Sequence, residues 1–121
     1  MDYDNIVKTA QMEIPEFAKA YDLEFEKDNI DLDSGPHTVF SFVFVPLLEK
    51  AISDGNRDLA QRLCGFLEKM ECSGNSDVAE VVEFTVLEEL CDDYRDADFK
   101  EYLLPETKLA LQAIREYIPE S

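Results

Sequence analysis

The sequence predicts an all-α fold: a single domain over residues 1–121, folded as a helical bundle or a short HEAT/armadillo-like array of about six helices. Apolar residues recur at helical spacing along most of the chain. Residues that start or stop helices fall between these segments. The 45% apolar content, with eight Phe and five Tyr, is sufficient for one core, and 121 residues is a usual single-domain length.

The first two helices are predicted from spacing and from one proline. From Asp2 to about Met12, apolar residues fall on one helical face. Pro15 suits the first position of a second helix, because its missing N–H has no helical partner there. Residues 27–36 are expected to form a loop that ends at Gly35-Pro36.

The next segment has two interpretations. Residues 38–45 are rich in β-branched and aromatic side chains, which favours a buried strand. The apolar register continues to Ile52, however, and Gly55 stands where a residue that ends a helix belongs. We favour a helix that Pro46 kinks or restarts, and the strand remains the alternative.

Three further helices complete the fold. Asn56 is a candidate N-cap for a helix from Arg57 to about Glu71. Asp77 and Glu80 have capping-box spacing before a helix from Val78 to about Tyr94, whose apolar residues spread around most of the circumference. Pro105 opens the last helix. Similar Leu-Glu motifs at offsets of 19 and 20 residues suggest repeated helix ends, as in a helical array.

The residues needed for catalysis or for a cofactor are sparse. His37 is the single histidine, and we expect it to cap a helix or lie on the surface. Cys64, Cys72 and Cys91 lack metal-ligand spacing, and we expect buried thiols at Cys64 and Cys91. An EF-hand loop starting at Asp31 would misplace both its glycine and its final glutamate. We predict no catalytic residue, no metal, no cofactor and no enzymatic activity.

The net charge of −17 is far outside the ordinary range for a small domain. Residues 1–36 carry −7, residues 37–75 carry −1 and residues 76–121 carry −9. Such a field repels nucleic acid and anionic membranes and attracts basic proteins. No apolar run could span a bilayer, and the first residues are acidic where a secretory signal is basic, so we expect a cytoplasmic protein.

The densest acidic stretch is interleaved with aromatic residues, as in an interface where aromatic side chains anchor and charges steer. The alternative is a solvated acidic face that aids solubility. We predict partner binding through this stretch. The predicted residues are Glu88, Glu89, Asp92, Asp93, Tyr94, Asp96, Asp98, Phe99, Glu101 and Tyr102.

Three motifs carry a resemblance to a known group of proteins. They are Phe42-x-Phe44-x-Pro46-Leu47-Leu48-Glu49, Val86-Leu87-Glu88-Glu89-Leu90 and Leu103-Leu104-Pro105-Glu106-Thr107. The chain resembles small acidic all-helical bacterial immunity proteins of contact-dependent inhibition and polymorphic toxin systems. This resemblance implies a compact helical bundle or short solenoid, a cytoplasmic location and a cognate toxin domain as partner. Such interfaces vary from pair to pair, so it implies no particular binding residues.

Three hypotheses for function follow. The first is an immunity protein, or antitoxin, that neutralises a basic nuclease-type toxin domain (an RNase or DNase) by occluding its active site. The alternative is a non-catalytic helical adaptor or regulatory module that binds another basic protein. The third, least favoured, is an enzyme that uses carboxylates with or without a metal.

Overall fold

The computed structural model describes residues 1–93 and 99–117, with side chains for 1–91 and 99–114. Across these residues the chain folds into a bundle of six helices of eight or more residues, with no β-strand, so the all-α prediction is confirmed. The helices are α1 (Ile6–Glu13), α2 (Pro15–Glu26), α3 (Pro36–Val39, Phe40–Phe44 and Val45–Ser53), α4 (Arg57–Glu71), α5 (Ser76–Val81, Val82–Val86 and Leu87–Asp93) and α6 (Pro105–Tyr117).

Helices α3 and α5 each contain a π-turn in their middle part. The amide of Val45 donates to the carbonyl of Phe40, and that of Leu87 donates to the carbonyl of Val82, five residues earlier in both cases. Residues 38–45 are therefore helical, and the strand alternative is wrong. The first π-turn ends at Phe44, two residues before Pro46, whose ring would clash with a carbonyl four residues earlier in a regular α-helix. The distortion predicted at Pro46 thus takes the form of a π-turn.

Asparagine side chains cap the starts of α4 and α5. The Asn56 side chain accepts a hydrogen bond from the Leu59 amide (3.2 Å), as predicted. At α5 the cap is Asn75, which accepts from the amides of Asp77 and Val78. The prediction of Asp77 as the cap is therefore wrong by two residues. The helix begins at Ser76 rather than at the predicted Val78, so Asp77 lies in its first turn.

The core combines side chains from all six helices. Its centre is a group of four phenylalanine rings with centroids 4.9–6.5 Å apart: Phe17, Phe40, Phe44 and Phe66. Three of them come from the near-neutral middle of the chain, where burial of charge is least required. The thiol of Cys64 also lies in this core, and burial raises its pKa to about 12, whereas Cys91 is half-buried and Cys72 exposed.

Among the described residues, every helix is too short or too polar to cross a membrane.

Candidate protein-binding surface

The two π-turn helices lie side by side and are joined by two polar contacts. His37 Nδ1 lies 2.6 Å from Thr85 Oγ1, and the Ser41 hydroxyl donates to Glu89 Oε1, also at 2.6 Å. The contacts are four residues apart on each helix and in the same order, so α3 and α5 run in the same direction here. His37 is half-buried in this junction, which corrects the expectation of a cap or a surface position.

An open groove of about 390 Å³ follows this junction. We call it the aromatic–acidic groove. Its lining residues are His37, Thr38, Ser41, Phe42, Phe84, Thr85, Glu88 and Glu89. Phe42 and Thr85 belong to the two π-turns themselves, which contact each other directly. A π-turn inserts an extra residue into a helix and changes which side chains face the neighbour, which is one reason such turns recur at functional sites.

Two phenylalanines stand in the groove with much of their surface in solvent. Phe42 is 47% exposed and Phe84 is 60% exposed. Exposed aromatic side chains are common binding anchors, because they bury a large area at a small cost in conformational entropy. The prediction from sequence placed both residues among the core-forming apolar positions, so it missed them.

A signal for Phe84 exists in the sequence. Glu80 and Glu88, one turn before and one turn after it, are both exposed, so Phe84 belongs to a charged stripe of α5. Thr38 and Pro46 flank Phe42 in the same way and are also exposed. An aromatic residue with polar or exposed neighbours at i−4 and i+4 lies on the outer face even where the helix is apolar elsewhere.

The carboxylate of Glu89 is only half satisfied. Its Oε1 accepts the Ser41 hydroxyl, whereas Oε2 is buried and has no hydrogen-bond partner among the described residues. An unpaired buried acceptor costs about 1–3 kcal/mol relative to one that is hydrogen-bonded. Exceptions of this kind in native proteins call for an explanation, and an ion or a water molecule bound at the acceptor is a common one.

The groove includes two of the residues predicted to bind a partner. Glu88 is exposed and Glu89 half-buried, and both line it. Asp92 and Asp93 follow on α5, where the structure describes their backbone alone. Tyr94, Asp96 and Asp98 lie outside the described residues.

The other predicted residues do not line the groove. Phe99 is completely buried, so its side chain belongs to the core rather than to the exposed surface that the sequence prediction assigned to it. Because its flanking residues are charged, the sequence alone gave it the pattern of a surface anchor. Glu101 is exposed, and the half-buried ring of Tyr102 has the Arg57 guanidinium 5.8 Å from its centroid.

A larger groove, of about 580 Å³, lies between α2 and α3. Phe42 lines both grooves. Lys19, Lys27 and Lys50 line the larger groove together with acidic residues, so its charge is mixed. In contrast, the described residues that line the aromatic–acidic groove include two glutamates and no lysine or arginine. The side chains of this groove are therefore acidic, in keeping with the negative net charge of the whole chain.

Carboxylates also gather at the end of α4, with a different arrangement. Burial alone would raise the pKa of Glu68, but hydrogen bonds from Glu106 and Thr107 at the start of α6 outweigh it and hold that pKa below its usual value. Burial and the nearby charge of Glu83 raise the pKa of Glu71 to about 8. Among the described residues, no group of three or more His, Cys, Asp or Glu side chains has the arrangement of a metal site.

The fold and this surface define a class: a small all-α protein with one groove that combines exposed aromatic rings and carboxylates. The chain belongs to the DUF7674 family, a domain of unknown function, which matches residues 7–118. None of the curated proteins and none of the solved structures compared with the chain matches it.

Proposed function

We propose that this protein is a non-catalytic binding protein that recognises a basic protein partner through the aromatic–acidic groove and the acidic part of α5 beyond it. The observation that carries the proposal is the pair of exposed rings, Phe42 and Phe84, beside Glu88 and Glu89 on a chain of net charge −17. Aromatic anchors supply binding energy, and the field speeds encounter with a positive surface.

We infer further that the partner is the cognate toxin domain of a bacterial toxin system, and that the protein is its immunity protein. Nuclease active sites are basic because they bind phosphates, so an acidic surface can occupy such a site by matching the charge of the substrate. Fast association favours an inhibitor that must act before the toxin does, and complementary charge can raise association rates to about 10⁸–10⁹ M⁻¹s⁻¹. Both proteins would meet in the cytoplasm, where the nucleic acid is.

Coexpression with any neighbouring gene product that is toxic on its own tests the proposal. The wild-type chain should restore growth and form a stable complex. A Phe42→Ala/Phe84→Ala variant should weaken the complex roughly tenfold or more, because both anchors are lost. The matched control is Leu104→Ala/Leu109→Ala, which removes two other exposed apolar side chains (43% and 58% exposed) and should bind like the wild type.

The charge argument has its own test in the association kinetics. Substitution of Asp92, Asp93 and Asp96 by Lys should slow association and flatten its dependence on salt, because long-range attraction is screened by ions. An association rate that is unchanged at low salt would contradict the steering role. If no neighbouring gene product is toxic and a non-toxic basic protein binds the groove instead, the adaptor alternative replaces the immunity function.

A further inference from the structure

We propose that the aromatic–acidic groove is a receptor for a guanidinium group, so that an arginine side chain of the partner is the residue that enters it. This inference rests on the proposed function, because it names the chemical group by which a basic partner would be held. Three features of the groove lead to it: its charge, its two rings and its unpaired acceptor.

The charge of the groove selects a cation. Glu88 and Glu89 contribute two carboxylates, and the described residues that line the groove include no lysine or arginine to neutralise them. Elsewhere carboxylates do find such partners: Glu16 pairs with Arg62, and Glu13 pairs with Lys69 at 2.6 Å. A cation supplied by another molecule is therefore the complement that this groove lacks within the described part of the chain.

The two rings favour a planar cation over a spherical one. Phe42 and Phe84 line the same groove from two helices and are both about half exposed. A guanidinium stacks on the face of an aromatic ring and is only weakly hydrated, whereas the ammonium of lysine is a strongly hydrated point charge. Burial of the arginine stem against the rings adds apolar contact.

The acceptors of the groove match the donors of a guanidinium. Glu89 Oε2 has no donor among the described residues, and the oxygen of the Ser41 hydroxyl can accept while its hydrogen points to Glu89. Oε2 is buried in the unbound chain, so a guanidinium reaches it when a change in the torsions of the Glu89 side chain turns the carboxylate toward the groove. The five N–H donors of one guanidinium can serve Glu88 and Glu89 together.

The test uses three blocked pentapeptides, each with one central residue between glycine pairs: arginine, lysine or citrulline. Each is titrated into the full chain at low salt, and the ring resonances of Phe42 and Phe84 are followed by NMR. The arginine peptide should shift both rings in a saturable way and bind roughly two- to fivefold more tightly than the lysine peptide. The citrulline peptide, which has the same shape without the charge, should leave both rings unchanged.

Variants separate the groove from the general field of the protein. Glu89→Gln and Phe84→Ala should each weaken binding of the arginine peptide severalfold. Glu101→Gln and Leu109→Ala, which alter an exposed acid and an exposed apolar residue outside the groove, should leave it unchanged. Circular dichroism of each variant verifies the fold. We expect the fold to persist, because Phe84 is exposed and the Glu89 carboxylate accepts only one hydrogen bond from the described residues, which glutamine can also accept.

Two results would overturn the inference. One is equal binding of the arginine and lysine peptides with no effect of Glu89→Gln, which would indicate attraction by net charge alone. The other is the absence of any shift at Phe42 and Phe84. Neither result refutes the proposed function, which fails separately if the full-length partner binds the Phe42→Ala/Phe84→Ala variant as tightly as it binds the wild type.

Discussion

Two helix junctions in this protein each hold a glutamate, and they differ in how far its carboxylate is satisfied. At the α4–α6 junction, Glu68 Oε1 accepts from the Thr107 amide (2.9 Å) and hydroxyl (2.8 Å), and Oε2 accepts from the Glu106 amide (3.0 Å). At the α3–α5 junction, Glu89 Oε1 accepts a single hydroxyl and Oε2 has no partner among the described residues.

The difference separates a glutamate that stabilises the fold from one that is available for binding. Glu68 takes the place of an N-cap residue for α6: it satisfies two amides that the helix cannot satisfy itself, and its charge complements the helix dipole. Glu89 contributes one bond to its junction and retains an unmet acceptor. Glu89 also lines the aromatic–acidic groove, whereas Glu68 and Glu71 do not. This position, and not the unmet acceptor alone, makes Glu89 the candidate for binding, because Glu71 Oε1 is likewise buried without a partner among the described residues.

Phenylalanines of the first π-turn offer the largest expected contrast in stability. Phe44 is fully buried, so Phe44→Ala should lower the free energy of unfolding by about 3–5 kcal/mol. Phe42, two residues away, is 47% exposed, and Phe42→Ala should lower it by about 1 kcal/mol or less. Urea denaturation measures both. If Phe44→Ala does not fold, Phe44→Leu gives the same ordering, and equal losses at the two positions would contradict the assigned faces of α3.

Loss of Glu68 should be the next largest effect. Glu68→Ala leaves two amides and the buried Thr107 hydroxyl without their acceptor, and we expect a loss of roughly 2–3 kcal/mol. Because its pKa is lowered in the folded chain, this contribution is present above the unfolded pKa and is lost as the pH falls. Glu101→Ala is the matched control, and an equally small effect of both variants would show that the cap does not stabilise α6.

The pH dependence should carry the opposite sign at Glu71. Burial and the charge of Glu83 raise its pKa in the folded chain to about 8, so its stabilising contribution is full below the unfolded value near 4.5 and is lost as the pH rises toward 8. Glu71→Gln cannot ionise and should be more stable than the wild type at about pH 9, with a smaller difference at about pH 5.

Unfolding in urea at both pH values measures this effect. Glu80→Gln provides the control, because Glu80 is an exposed glutamate on the neighbouring helix. A difference between Glu71→Gln and the wild type that does not grow with pH would contradict a raised pKa at Glu71.

The smallest effect on stability is expected at the α3–α5 junction. A Ser41→Ala/Glu89→Leu variant removes a bond together with the unmet acceptor, and such a replacement by apolar groups is often neutral or slightly stabilising. We expect a change within about 1 kcal/mol, with clear loss of partner binding. A large loss of stability would assign Glu89 the same structural role as Glu68.

The helices were predictable from the sequence because the signals are local. Pro15, Asn56 and Pro105 mark helix starts through missing or unsatisfied backbone donors, and the structure has a helix start at each of them. The ambiguity at residues 38–45 arose because β-branched and aromatic residues suit both a strand and a buried helix.

The groove was less predictable, because the assignment of faces depends on an unbroken helical period. A π-turn adds one residue, and each added residue rotates the following side chains by about 100° relative to a regular α-helix. Phe84, however, was counted with the core for another reason: the apolar residues of α5 spread around most of its circumference, so they define no single buried face. The pairing of Ser41 with Glu89 depends on how α3 and α5 pack against each other, which no local signal encodes.

Binding of the coexpressed partner to matched variants tests the central claim most directly. Dissociation constants should be measured for the wild type, for Phe42→Ala/Phe84→Ala and for Leu104→Ala/Leu109→Ala. A groove that binds the partner predicts a loss of roughly tenfold or more for the first variant and none for the second. Equal affinities for both variants would contradict the assignment of the aromatic–acidic groove as the binding surface.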